Sequence, residues 1–140
     1  TLQWASPSSS SSSSRGGPAS SALLFAGFST GKVASYLLEH GRLTRVSAVS
    51  VGVGVKCLAY LKSTVDAERQ CVLLVGCADG GLRLLPLRGV AQFDGGKPIL
   101  WPGVHEKNAA LTTLSVMPMN PVLGKCICAS GAEDGSVSIF

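Results

Sequence analysis

At 140 residues the chain is long enough for one sizeable hydrophobic core. A hydrophobic content of 46% with mean hydropathy of +0.35 describes a globular domain. Its longest apolar run, around Cys71 to Val75, falls far short of the ~18 residues a spanning helix needs, so no membrane segment is expected. Net charge is +4, yet the basic residues are scattered and never adjacent, which disfavours nucleic acid as a partner.

The opening TLQW has neither a basic n-region nor an apolar h-region. A secretory leader is therefore not expected at this end, and an excerpt of a longer polypeptide is. The five cysteines Cys57, Cys71, Cys77, Cys126 and Cys128 form an odd set, mostly inside apolar strand-like runs. There they read as small buried hydrophobes in a reducing compartment. Cys126 and Cys128 lack the C-x-x-C spacing and second pair of a zinc site, so no metal is expected.

In chain order, TLQWASP (1–7) predicts a short strand with Leu2 and Trp4 on one face, Trp4 towards the core. Residues 6–21 (SPSSSSSSSRGGPASS) are low-complexity and disordered, and are placed as an inflated loop inside the first repeat. Such insertions cost little closure entropy. LLFAGFSTGKVASYLL then predicts a hairpin around Gly27 and Gly31, with a further strand over Arg42 to Val49. His40, in LLEHGR, is a surface turn residue. VKCLAYLKS (55–63) repeats the opening strand with Leu58 and Tyr60. CVLLVGCADGGLRLLPL repeats the hairpin around Gly76, Asp79 and Gly80, and FDGGKP is a turn before a strand near Lys97 to Trp101. LTTLSVMPM (111–119), with Leu114 and Val116, and CICASGAEDGSVSIF, around Gly131, Asp134 and Gly135, make the third copy. The copies recur at roughly 50 residues, somewhat above the 40–45 of four-stranded propeller units. Asp79-Gly80, Asp134-Gly135 and Thr30-Gly31 predict two-residue turns of positive φ. Val33, Leu82 and Val137 open the alternation after each turn. Helical periodicity is missing, and Gly and Pro punctuate the chain as an all-β fold requires.

Candidate chemistry is sparse. AGFSTGKV has too few residues between its glycines for a phosphate loop, Val33 stands where a hydroxyl is needed, and a strand follows instead of a helix. No G-x-S-x-G elbow activates a serine for a Ser-His-Asp triad. Asp134, beside Glu133, is explained by its turn. His105 is read as a structural hydrogen-bonding group. Trp101, between Pro98 and Pro102, is a candidate partner-binding anchor, although packing beneath a loop accounts for it better.

The order apolar strand, small-small-Gly, x-x-Asp-Gly, alternating strand resembles the WD-repeat β-propeller family. GVHEKNAALTTLSVMP with CICASGAEDGSVSIF carries the likeness most fully. Gly103-Val104-His105 stands for the family's Gly-His pair, and Tyr36, Leu85 and Phe140 fall where its signature tryptophan lies. The resemblance implies an all-β, unclosed fragment of about three four-stranded antiparallel blades. These cover 1–50, 51–103 and 104–140, the last truncated before its fourth strand. It implies a partial structural network joining His105 and Asp134. It also implies a non-enzymatic protein–protein interaction scaffold in a larger intracellular complex, cytoplasmic or nuclear, without cofactors. The partners would be other proteins, docking on the loops at Phe28 to Thr30, Cys77 to Asp79 and Ala132 to Asp134, and the remaining blades of the parent chain. The alternative is a nucleic-acid-associated propeller subunit of a ribonucleoprotein or chromatin complex.

Overall fold

The computed structural model describes residues 1–5, 21–62, 71–89, 91–101, 104–105, 108–120 and 125–140. Residues 6–20 of the serine-rich loop, Pro102 and Gly103 lie outside the described residues. Three antiparallel sheets follow one another along the chain. The first runs in the order β1 (Leu2–Ala5), β2 (Ala22–Gly27), β3 (Lys32–Glu39), β4 (Arg42–Ser50). The second contains β5 (Val55–Lys62), β6 (Cys71–Cys77), β7 (Leu82–Arg88) and β8 (Gln92–Phe93), with β9 (Ile99–Trp101) also paired to β7. The third is β10 (Leu111–Asn120), β11 (Lys125–Ala132) and β12 (Val137–Ile139). The chain is all-β, and none of its sheets closes on itself. The result is an open, propeller-like series of sheets.

Register shows that these are copies of one unit. Leu2, Leu58 and Leu114 pair with Ala26, Val75 and Ser130, each one residue before the glycine of its hairpin. Tyr36 and Leu85 pair with Leu24 and Leu73, and Phe140 exchanges two backbone bonds with Cys128 (2.8 and 3.0 Å) at the matching site. The first strands of the second and third sheets also carry the same register shift, at Val55/Cys57 and Leu111/Thr113. This bulge leaves Lys56 and Thr112 exposed.

The hairpin turns differ from the two-residue form that Asp-Gly predicts. In each, the glycine N–H bonds three residues back (Gly31 to Phe28, Gly80 to Cys77, Gly135 to Ala132; 3.0–3.2 Å). The residue before the loop (Phe28, Cys77, Ala132) donates in turn to Lys32, Gly81 or Ser136 (2.9–3.1 Å). This is a type I turn closed by a G1 bulge, in which only the glycine needs the left-handed region. Gly31, Gly80 and Gly135 have φ of 81, 77 and 82°, so Thr30 serves as well as Asp79 or Asp134. Two consecutive positive-φ residues occur instead at His40 (50°) and Gly41 (74°), which join the paired residues Glu39 and Arg42.

The outer strand of the second sheet breaks for a chemical reason. Pro86 accepts from Asp94 N at 3.1 Å on its outer side, so its missing N–H falls on that side as well. β8 pairs with Leu87 and Arg88, β9 with Leu82 to Leu84, and the chain leaves the ladder between them.

The first sheet buries one face on the second, and the second buries its other face on the third. Leu23, Phe25 and Val33 of the first sheet pack with Leu58, Leu73, Val75 and Leu85 of the second. The Phe25 ring lies 5.6 Å from Tyr60 and 6.4 Å from Phe93. On the other face of β6, Leu74 packs with Leu82, Leu111, Cys128, Leu114 and Val116. Two hairpin glycines allow this approach. A Cβ on Gly27 would lie 2.4 Å from Val55 Cγ1, and one on Gly76 would lie 3.0 Å from Leu111 Cβ. Each facing residue begins the first strand of the next sheet.

Candidate functional site

The three β-turns and the segments that lead into β5 and β10 meet along one rim. Val55 N donates to Phe28 O (3.0 Å), Ala78 N to Gly54 O (2.9 Å), Asn108 N to Asp79 O (3.3 Å) and Glu133 N to Ala110 O (2.9 Å). Phe28, Ser29 and Thr30 are exposed, as are Glu133 and Asp134. The bulge residue Lys56 reaches across to Glu133 at 3.4 Å. Both side chains are half-exposed, so this pair contributes little to stability. Its position nevertheless places a charge of each sign on the rim.

At the third turn, His105 joins groups far apart in sequence. Its Nε2 lies 2.8 Å from Ser130 Oγ and its Nδ1 lies 2.7 Å from Ser136 Oγ. Ser136 Oγ donates to Asp134 Oδ1 at 2.6 Å, and Ser136 N donates to the same oxygen at 2.8 Å. Because Ser136 spends its proton on the carboxylate, it accepts from Nδ1–H. Nε2 makes the second bond of the ring, to Ser130. His105 and Asp134 are thus connected through Ser136 and not by direct contact. Ser138 Oγ pins the loop by donating to Val104 O at 2.5 Å. The hydrogen bonds from Ser136 hold the Asp134 carboxyl below its ordinary range.

The second turn solves the same problem with an ion pair. Asp79 accepts from Arg83 through both oxygens (3.0 and 2.7 Å) and from Gly81 N at 3.1 Å. Arg83 therefore holds the Asp79 carboxyl below its usual range. In both turns the aspartate is used for the backbone N–H two residues on, an Asx-type bond. Ser130, Ser136 and Arg83 carried no local motif. The only signal for Ser136 was its place after Asp-Gly.

Ser130 and His105 resemble two members of a hydrolytic triad, with Asp134 reached only through Ser136, yet Ser130 is 1% exposed, within β11. A nucleophile must meet its substrate, so this buried hydroxyl serves the fold. The described concavities lie elsewhere. One of about 220 Å³ is lined by Val49, Phe93 and Lys97, and another of about 530 Å³ by Cys71, Arg88 and Gly89; both border Pro86, Asp94 and Ile99. Asp94 there pairs with Arg88. Among the described residues no group of three His, Cys, Asp or Glu side chains is placed to hold a metal, and no helix is long and apolar enough to cross a membrane. Trp101 is 42% exposed and stacks at a tilt on Phe140, with centroids 5.2 Å apart. It joins the second and third sheets, so part of its ring is already committed to packing.

No protein-family model matches the chain, and no curated protein matches it. The rim and the repeat register therefore carry the functional argument.

Buried thiols complete the electrostatics. Burial pushes Cys57 and Cys128 up to about 11. A thiol raised on folding contributes stability that is full below its unfolded value near 9 and is lost as pH rises towards 11. The lowered carboxyls of Asp79 and Asp134 contribute stability above about pH 4 that is lost as pH falls further. A denaturant midpoint measured against pH is expected to be flat from about pH 5 to 8 and to fall on both sides. In Arg83→Ala the acid limb should become shallower, and in Cys57→Ala the alkaline one.

Proposed function

We propose that the chain is a segment of a WD-repeat-type β-propeller and that its rim is a non-enzymatic docking platform for segments of other proteins. One observation supports this reading above the rest: the same turn is built three times and held to the next by backbone bonds along a single rim. Such construction fixes loop positions on a rigid support, which suits binding surfaces. The exposed Phe28 ring (43%) provides an apolar anchor beside polar Ser29 and Thr30. Lys56 and Glu133 set a mixed-charge border. The acidic Glu133 and Asp134 on the rim disfavour a phosphate backbone as occupant. A cytoplasmic or nuclear assembly is the proposed setting, in keeping with five cysteines described as free thiols.

Proximity labelling and affinity capture from source cells, using the full natural polypeptide, test the proposal. Phe28→Ala and Glu133→Lys are expected to weaken one or more protein partners by about tenfold or more, the loss typical of an interface anchor. Neither should lower the melting temperature appreciably. Leu43→Ala, on β4, should change nothing. Partner binding that survives both rim changes would refute a docking rim.

A further inference from the structure

The outer edge of the second sheet carries a groove that the rim does not use. Its smaller concavity, about 220 Å³, is lined by Val49 of β4 together with Leu85, Phe93 and Ile99 of the second sheet. Leu85 and Phe93 are buried, whereas Ile99 is 56% exposed. Pro86, Asp94 and Ile99 also border the larger concavity of about 530 Å³, which extends the groove to Arg88 and Gly89. The groove exists because the chain leaves the outer ladder between β8 and β9. Gly95 turns it away with φ of 71°. Apart from its chain neighbours, a Cβ on Gly96 would meet no described residue within 4 Å, so the mouth is open.

The lining limits what can occupy the groove. At about 220 Å³ the smaller concavity falls below the roughly 300–1,000 Å³ of sites that enclose a drug-sized ligand. It suits one large apolar side chain, with the rest of the molecule outside. Arg88 and Asp94 neutralise each other as an ion pair. Lys97 is exposed and has no ion-pair partner among the described residues, so the lip keeps one uncompensated positive charge. Strand addition is closed off. Pro86 has no N–H, its carbonyl already accepts from Asp94 N, and the flanking Leu84 and Leu87 are paired with Ile99 and Phe93. An occupant must therefore be held by its side chains and not by a backbone ladder.

We propose that this groove docks a linear segment of a partner protein, with a large apolar side chain seated against Val49 and Phe93 and an aspartate or glutamate beside it on Lys97. The site lies on the outer edge of the sheet, so it stands independently of what binds the rim. A nucleic-acid strand would bring the charge without the apolar side chain.

Fluorescein-labelled octapeptides in a serine–glycine background test this by fluorescence polarisation against the full natural polypeptide. Each carries one Leu, Met or Phe and one Asp or Glu at a neighbouring position, and a matched set carries Lys in place of the acid. At least one acidic peptide is expected to bind about tenfold tighter than its Lys counterpart. Gly96→Phe, which fills the open mouth, should weaken that peptide by about tenfold or more, and Lys97→Glu by about fivefold or more. Lys97 is exposed, so Lys97→Glu leaves the fold intact and decides the matter even where Gly96→Phe does not fold. Phe28→Ala, on the rim, should leave binding unchanged. Binding by no peptide, equal binding of the acidic and Lys sets, or affinity untouched by Lys97→Glu or by a folded Gly96→Phe would overturn the inference. Loss of binding in Phe28→Ala would overturn it too, because the peptide would then sit on the rim.

Discussion

Gly76→Ala is expected to cost about 3 kcal/mol, a large effect for one methyl group, because the site is already closed from both sides. The new Cβ would lie 2.3 Å from Cys57 Sγ and 3.0 Å from Leu111 Cβ. Neither neighbour can yield cheaply. Cys57 is short and buried, and it donates to Leu111 O at 3.6 Å; Leu111 is fully buried, and its Cβ moves only with its backbone. Relief therefore requires the second and third sheets to separate. Gly27→Ala should behave similarly, with Val55 Cγ1 2.4 Å away. Among the described residues, the new Cβ of Gly131→Ala meets the rotatable ends of Thr113 (3.0 Å) and Thr112 (3.9 Å). This variant should lie within about 1 kcal/mol of the parent, since alanine also reduces the freedom of the unfolded chain. Thermal unfolding of the three variants checks the order. Gly76→Ala should melt about 10 °C lower, and equal losses at all three glycines would be inconsistent with sheets that are packed in series.

The second large effect concerns two adjacent residues. Leu73 and Leu74 point to opposite faces of β6 and are 0% and 1% exposed. Leu73 belongs to the cluster shared with the first sheet, Leu74 to the one shared with the third. Truncating either to alanine should cost about 2–5 kcal/mol, the usual range for a buried leucine that leaves a cavity. Their signatures should differ. In native-state hydrogen exchange, Leu73→Ala is expected to accelerate amides of β2 and Leu74→Ala those of β11. Ile139→Ala, on the open outer face, should change stability by less than about 0.5 kcal/mol. If Leu73→Ala and Leu74→Ala loosened the same strands, the two-sided packing of β6 would be wrong.

Much of this architecture was legible in the residues because the repeat is periodic. The order of the repeated segments aligned Leu2, Leu58 and Leu114, and a constant offset from Gly31, Gly80 and Gly135, together with the family resemblance, placed Tyr36, Leu85 and Phe140 at one position. What stayed hidden depends on contacts that periodicity does not report. Asp-Gly is compatible with two turn families, since both need a glycine in the left-handed region. Only the bonds to Lys32, Gly81 and Ser136 distinguish them. His40-Gly41 gave no such dipeptide signal, although histidine tolerates positive φ better than most residues. Pro86 removes one N–H from the outer ladder, but the split of its outer partner into β8 and β9 shows only in the pairing. Ser130 and Ser136 were two serines among many until the fold brought His105 between them.

Serial packing of the sheets through their glycines is tested most directly by proton–proton distances. In a methyl-labelled sample, strong nuclear Overhauser contacts are predicted from the Val55 methyls to the Gly27 Hα protons and from the Leu111 methyls to those of Gly76. Finding both glycines without these contacts, in a sample whose strand registers are otherwise intact, would contradict the account.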